Sequence, residues 1–193
     1  MPIVVAIDGP SGSGKSSTAR KLAIRANWNY LDTGALYRGI TWLALKNNLT
    51  DAAEILIALH ENPLRFNSDP TRPIITCGKI DISQDIRNEE VTEQVSSISA
   101  LPEIRNELVK LQREIISVSK NGIVVEGRDI GTVVTPNAQL KIYLTADLQA
   151  RANRRENEIG TSQDLSQSLA QRDEKDSTRK VSPLEPAIDA VML

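Results

Sequence analysis

The sequence predicts an α/β fold of three layers, with helices on both faces of a central parallel β-sheet, and three observations carry that prediction. Apolar runs at 3–7 and 123–125 show no polar alternation, as strands covered on both faces require. Segments with helical spacing of apolar residues follow such runs in succession, the pattern of βαβ units and parallel pairing. A glycine-rich turn joins the first strand to the first helix. The 193 residues fit one domain, with room for a small inserted lobe.

The first strand, 3–7, ends at Asp8-Gly9-Pro10, and Ala19, Leu22 and Ala23 recur at helical spacing over 16–26. A second strand at 28–31 leads through Asp32-Thr33-Gly34 into an amphipathic helix reaching Leu45. Residues 50–60 read as a helix behind Thr50. Short runs at 64–66, 74–77 and 79–82, broken by Pro70, Pro73 and Gly78, predict a small β-rich insert. Over 102–120, Ile104, Leu108, Leu111, Ile115 and Val118 are spaced as one helix face, with Pro102 at its start. Strands at 123–125 and 140–144, helices at about 147–158 and 163–175, and a terminal strand over 187–193 complete the expected order. Trp28 and Trp42 are expected in the core, Cys77 as a buried or edge-strand thiol, and His60 in a structural role.

Composition excludes several classes. Apolar residues make up 40% and charged residues 25%, ordinary for a globular chain. Aromatics at 3% furnish a poor base-stacking surface, and 23 Lys and Arg against 25 Asp and Glu leave a net charge of -2, so no nucleic-acid partner is expected. The lone cysteine excludes an internal disulfide and suits a reducing cytoplasm. The apolar N-terminal run is far too short to span a bilayer and lacks a basic flank, so neither a targeting signal nor membrane association is expected.

Gly9-Pro10-Ser11-Gly12-Ser13-Gly14-Lys15-Ser16 matches the phosphate-binding P-loop pattern, in the required place between a strand and a helix. Glycines let the backbone approach phosphate oxygens, successive N–H groups converge as an anion nest, and the following helix adds its positive end. Lys15 is placed to reach the outer phosphates. Ser16 is placed to ligate Mg²⁺, a hard ion that prefers oxygen, and Ser17 closes the loop. The expected ligand of Gly9 to Ser17 is a nucleotide's phosphate chain, and the loop by itself leaves a kinase, a GTPase switch, an ATPase motor and a passive binder open. Arginines gather at ends of elements, at Arg38, Arg128, Arg151, Arg154, Arg155, Arg172 and Arg179, where planar guanidinium groups suit a second phosphorylated substrate.

IDGPSGSGKSS at 7–17, LDTGALYR at 31–38, Ile86-Arg87 followed by VSSISALPEIR at 95–105, VVEGRDIGTVV at 124–134 and RDEKDSTRKVSPLEPA at 172–187 together carry a family resemblance. On these motifs the chain resembles the bacterial-type cytidylate kinases over nearly its whole length. The resemblance implies the P-loop kinase fold and transfer of the γ-phosphoryl group of ATP to CMP or dCMP by a cytoplasmic enzyme, with monomeric form expected. It implies that Arg38, Arg128 and Arg179 hold the acceptor phosphate, that Thr33, Ser96, Arg105 and Asp129 read cytosine, and that Arg172 and Asp176 contact the sugar. Lys15, Arg128, Arg151, Arg155 and Arg179 are the expected catalytic cations. The β insert, about 62–100, becomes a monophosphate-binding lobe, and about 150–162 a lid.

A nucleoside monophosphate is largely dianionic at neutral pH, its second pKa lying near 6 by analogy with phosphorylated side chains, so no general base is required. Glu126, at a strand end, reads either as an orienter of the magnesium shell or as a solvent-facing acid. Thr33 stands where the family commonly has serine, and the family usually continues past Leu193 with a further helix. Rival readings are a kinase for UMP, AMP or a hydroxyl-bearing metabolite, and a nucleotide-binding switch without transfer. A GTPase is disfavoured by the lack of an Asn-Lys-x-Asp motif, and a polynucleotide kinase by the charge balance.

Overall fold

The computed structural model describes residues 2–159 and 165–193. Strands β1 (Ile3–Asp8), β2 (Asn29–Asp32), β6 (Gly122–Gly127), β7 (Leu140–Tyr143) and β8 (Val191–Met192) form a parallel sheet in the order β2-β6-β1-β7-β8. Alternate residues of β1 serve opposite layers. Val4 and Ala6 join the larger core with α2 (Thr33–Lys46), α3 (Ala52–Glu61) and α5 (Pro102–Ser117), whereas Val5 and Ile7 pack with Ala19 and Ala23 of α1 (Lys15–Ala26). Both faces being covered, β1 and β6 have no polar face to show, which is why they read as continuous apolar runs.

The insert is an antiparallel sheet, β3 (Leu64–Asn67), β4 (Ile74–Cys77) and β5 (Ile80–Asp81), followed by α4 (Glu89–Ser99). Leu64 and Ile75 of this sheet pack at Gly39 of α2, where a Cβ would approach their side chains to 3.0 Å. The missing side chain thus lets the insert sit close against the helix. Asn88 caps α4, its side chain accepting from the Val91 amide at 2.8 Å. Helices α6 (Leu148–Ile159) and α7 (Leu165–Thr178) follow β7.

Several boundaries differ from the sequence reading. Asp51, not Thr50, caps α3, because its carboxylate accepts from the Ala53 and Glu54 amides at 2.9 and 3.2 Å. Helix α5 stops at Ser117, so Val118, 77% exposed, lies past its end and not on the buried stripe. The expected terminal strand over 187–193 is confined to Val191–Met192, since Ala187 to Ala190 closes a turn with an N–H···O bond of 2.9 Å. Trp28 and Trp42 are half-buried, packed at the margins of the two cores. His60 is exposed, with Glu107 at 3.8 Å. Cys77 is buried in β4, its thiol donating to the Asn62 carbonyl. Residues 160–162 of the expected lid lie outside the described residues.

Candidate active site

A cleft of about 580 Å³ opens at the C-terminal ends of β1, β2 and β6, where an open α/β sheet of this kind places its ligands. One end is the phosphate loop. Gly9 has no room for a side chain, as a Cβ would collide with the Leu144 carbonyl. Gly14 takes φ 95° as the N-cap of α1, a left-handed conformation natural to glycine, and so turns the amide row toward the cleft. Lys15, almost fully buried, folds back on its own loop, donating to the Pro10 carbonyl at 2.6 Å and reaching Ser13 Oγ at 3.4 Å. Burial, and next Arg128, lower its ammonium pKa to about 7.

Ser11, Gly12, Gly14, Lys15, Ser16 and Ser17 line this end, whereas Gly9, Pro10 and Ser13 do not. Glu126 is buried beneath Ser16. Its carboxylate accepts from Ser16 Oγ at 2.9 Å and from the Tyr30 hydroxyl, and burial, reinforced by Asp32, raises its pKa to about 7. The solvent-facing reading of Glu126 is thereby excluded. Hydroxyl and carboxylate side by side at the loop's end make an all-oxygen donor set, which fits a divalent hard cation.

The other end is lined by Thr33, Arg38, Ser96, Arg105, Asp129 and Arg179, with Arg128, Arg172 and Asp176 between. Residues far apart in the chain are thus brought together on α2, α4, α5, α7, the turn just past α7 and the segment after β6. Arg105 is 2% exposed; its Nη2 meets Asp129 Oδ2 at 2.5 Å, its Nη1 donates to the Ser99 carbonyl at 3.1 Å, and its guanidinium lies 5.0 Å over the Tyr37 ring. Arg128 Nε donates to Asp176 Oδ2 and Nη1 to the Gly9 carbonyl, both at 2.8 Å, tying α7 to the phosphate loop. Burial would raise Asp176, but Arg128, with Arg179 and Arg172, holds it below the usual carboxylate range. Arg38 donates to the Ile86 carbonyl at 3.2 Å and Thr92 Oγ1 at 2.9 Å. Thr33 Oγ1 donates to the Glu126 carbonyl at 2.8 Å, leaving its lone pairs to the cleft. Among the described residues, Arg105 Nε and Arg179 Nη2 are buried here without a hydrogen-bond partner. Donors held dry in one cavity suit an anionic, hydrogen-bonding ligand.

Arg151 does not line the cleft. It lies behind the loop, donating to the Ser11 carbonyl at 3.0 Å, the Ala146 carbonyl at 3.1 Å and Asp173 Oδ2 at 2.5 Å, while Asp173 Oδ1 accepts the Ser11 amide at 3.3 Å. Arg154, one helical turn on, does line it and donates to the Ser13 carbonyl at 3.1 Å. Arg155 is on α6, and its side chain lies outside the described residues. Sequence reasoning missed Tyr37, which sits on the same face of α2 as the core, and Asp173, whose partner Arg151 belongs to the other helix of the pair. Tyr37 lies in the LDTGALYR motif and Asp173 in RDEKDSTRKVSPLEPA, and those motifs were the signal that could have found them.

Strand, phosphate loop and helix at one end of an arginine-lined cleft define the class, a P-loop kinase of α/β architecture. The family model described as cytidylate kinase matches residues 5–193. A cytidylate kinase of Streptomyces avermitilis is 48% identical over 193 residues, spanning 98% of this chain and 84% of that protein. One from Nocardia farcinica is 51% identical over 200 residues, spanning 100% and 86%. A solved structure of an uncharacterized protein from Eubacterium ventriosum, 12% identical, superposes with a TM-score of 0.52 over 100% of this chain and 89% of that one, a likeness of fold alone. The chain belongs to the cytidylate kinase family.

Proposed function

We propose that the chain transfers the γ-phosphoryl group of ATP to the phosphate of CMP or dCMP, giving ADP and CDP or dCDP. The observation that carries this reading is the continuity of the cleft. A phosphate loop at one end and a buried Arg105–Asp129 pair at the other share the arginines between them. In this reading ATP lies with its phosphates on Gly9 to Ser17. The acceptor's base meets Thr33, Ser96, Arg105 and Asp129, its sugar Arg172 and Asp176, and its phosphate Arg38, Arg128 and Arg179. Cytosine presents an amino donor beside ring-nitrogen and carbonyl acceptors, and a carboxylate next to a guanidinium answers both. A wrong base would leave that buried pair unanswered, which is how such a site discriminates.

The acceptor phosphate oxygen attacks the γ-phosphorus as the bond to the β,γ-bridging oxygen breaks, and ADP leaves with that electron pair. No side chain need remove a proton. Lys15 swings from the Pro10 carbonyl onto the β- and γ-phosphates, and with Arg128 and Arg179 offsets charge on the transferring group. Ser16 would hold Mg²⁺, with Glu126 orienting its shell; the ion supplies charge neutralisation across the phosphates. Helix α6 serves as the lid, with Arg154 lining the cleft and Arg151 bracing the loop, while 62–100 is the acceptor lobe. The acting form in this reading is a monomer. No described helix is long and apolar enough to cross a membrane, and a cytoplasmic setting accords with this chemistry.

The test is MgATP-dependent diphosphate formation with CMP, dCMP, UMP and AMP offered separately. Selective use of CMP and dCMP is expected. Equal use of all acceptors would overturn the base assignment, and ATP binding without transfer would overturn the reaction.

A further inference from the structure

We infer that Asp8 is a positioning residue that locks the acceptor-side turn to the root of the phosphate loop. Asp8 ends β1, paired in register with Gly127 of β6 and Tyr143 of β7, and is 4% exposed. Its two carboxylate oxygens are used separately: Oδ1 accepts the Ile130 amide and Oδ2 the Gly131 amide, each at 2.8 Å. Those amides open the π-helical turn Ile130–Val134, which directly follows Arg128 and Asp129. Asp8 therefore caps a helical turn belonging to another part of the chain, supplying acceptors that the turn's own backbone lacks.

A third bond closes the arrangement, as Arg128 Nη1 donates to the Gly9 carbonyl at 2.8 Å. The adjacent residues Asp8 and Gly9 thus hold the 128–131 stretch at three points. That stretch carries Arg128 and Asp129 into the cleft, and Gly9 opens the phosphate loop. Donor and acceptor ends are fixed to each other through one strand terminus. Phosphoryl transfer depends on in-line placement, and a displacement of about 1 Å costs on the order of 10²-fold in rate. Only a carboxylate fits the task in full. Asparagine offers one acceptor oxygen and would turn an N–H donor toward the second amide.

The inference rests on the proposed acceptor roles of Arg128 and Asp129, and the test separates the two. Asp8→Asn and Asp8→Ser are compared with Asp129→Asn in steady-state kinetics, after circular dichroism and thermal melting. The expected result is a tenfold or greater loss in kcat/KM for CMP in both Asp8 variants, with the KM for ATP within about twofold of the parent. Selectivity for CMP over UMP should also narrow. Equal losses toward ATP and CMP, no loss, or failure of both variants to fold would overturn the positioning role. If Asp129→Asn alone leaves CMP selectivity intact, the base reading fails instead, whereas the Asp8 effect on Arg128 and the acceptor phosphate still shows as a raised CMP KM.

Discussion

Lys15 is held nearly out of water among Arg128, Glu126, Asp8 and Asp32, bonded to a carbonyl of its own loop. An ammonium so placed gains more from a bound triphosphate than one already solvated, because its hydration is gone beforehand. Lys15→Ala should therefore lower kcat by about 10²-fold or more, with circular dichroism unchanged; a variant of parental activity would refute its role on the phosphates. Arg105 poses the opposite problem, since it neutralises a buried acid. Arg105→Met leaves Asp129 without its partner, so melting should fall by an amount reflecting about 3–5 kcal/mol. At temperatures below that melt, kcat/KM for CMP should drop more than for UMP or AMP. Equal losses for all would show that Arg105 supports the cleft without reading the base.

At the scale of elements, contacts between layers are set where side chains are small. Gly122 begins β6, and a Cβ there would stand 2.5 Å from the ring of Trp28, which lies between α1 and β2. Ring and strand backbone cannot both stay in place if that gap is filled. Gly122→Ala is expected to cost about 1–3 kcal/mol and to shift Trp28 fluorescence to longer wavelength as the indole moves outward. Trp42, on α2, should be unaffected, so Trp42→Phe isolates the signal. Unchanged emission and melting would show that the strand accommodates a side chain. The start of α4 depends on the Asn88 side chain accepting from the Val91 amide, a local bond that apolar periodicity does not announce.

For the whole molecule, the concentration of buried ionisable groups makes stability depend on pH. Burial raises Asp8 to about 6 and Glu126 to about 7, so the folded chain keeps protons that the unfolded chain, at the ordinary 3.8 and 4.5, has released. Their contribution is full below that ordinary range and is lost as pH rises through 6 and 7. Lys15, lowered from 10.5 to about 7, acts inversely, the unfolded chain holding the extra proton, so stability recovers as pH rises above 7. Asp176, held low, adds stability that disappears only below the carboxylate range. Thermal melts without nucleotide should thus pass through a minimum near pH 7, and Lys15→Met should abolish the recovery above it. A melting temperature rising steadily from pH 5 to 7 would refute this. What the sequence alone determined is whatever is local: the buried strands from their unbroken apolar runs, α5 from its spacing, the phosphate loop from glycines whose freedom of φ is intrinsic. The motifs also named the cleft arginines. What only the tertiary structure decided is which groups share a space. Arg151 faces the back of the loop while Arg154 faces the cleft, because α6 packs with one side on Ser11. Glu126 is dry, because α1 and β2 close over it. Asp8 caps a turn across the sheet, because parallel register puts the ends of β1 and β6 side by side. Partners separated by a hundred residues or more along the chain leave no trace in spacing, since only folding brings them within hydrogen-bond reach.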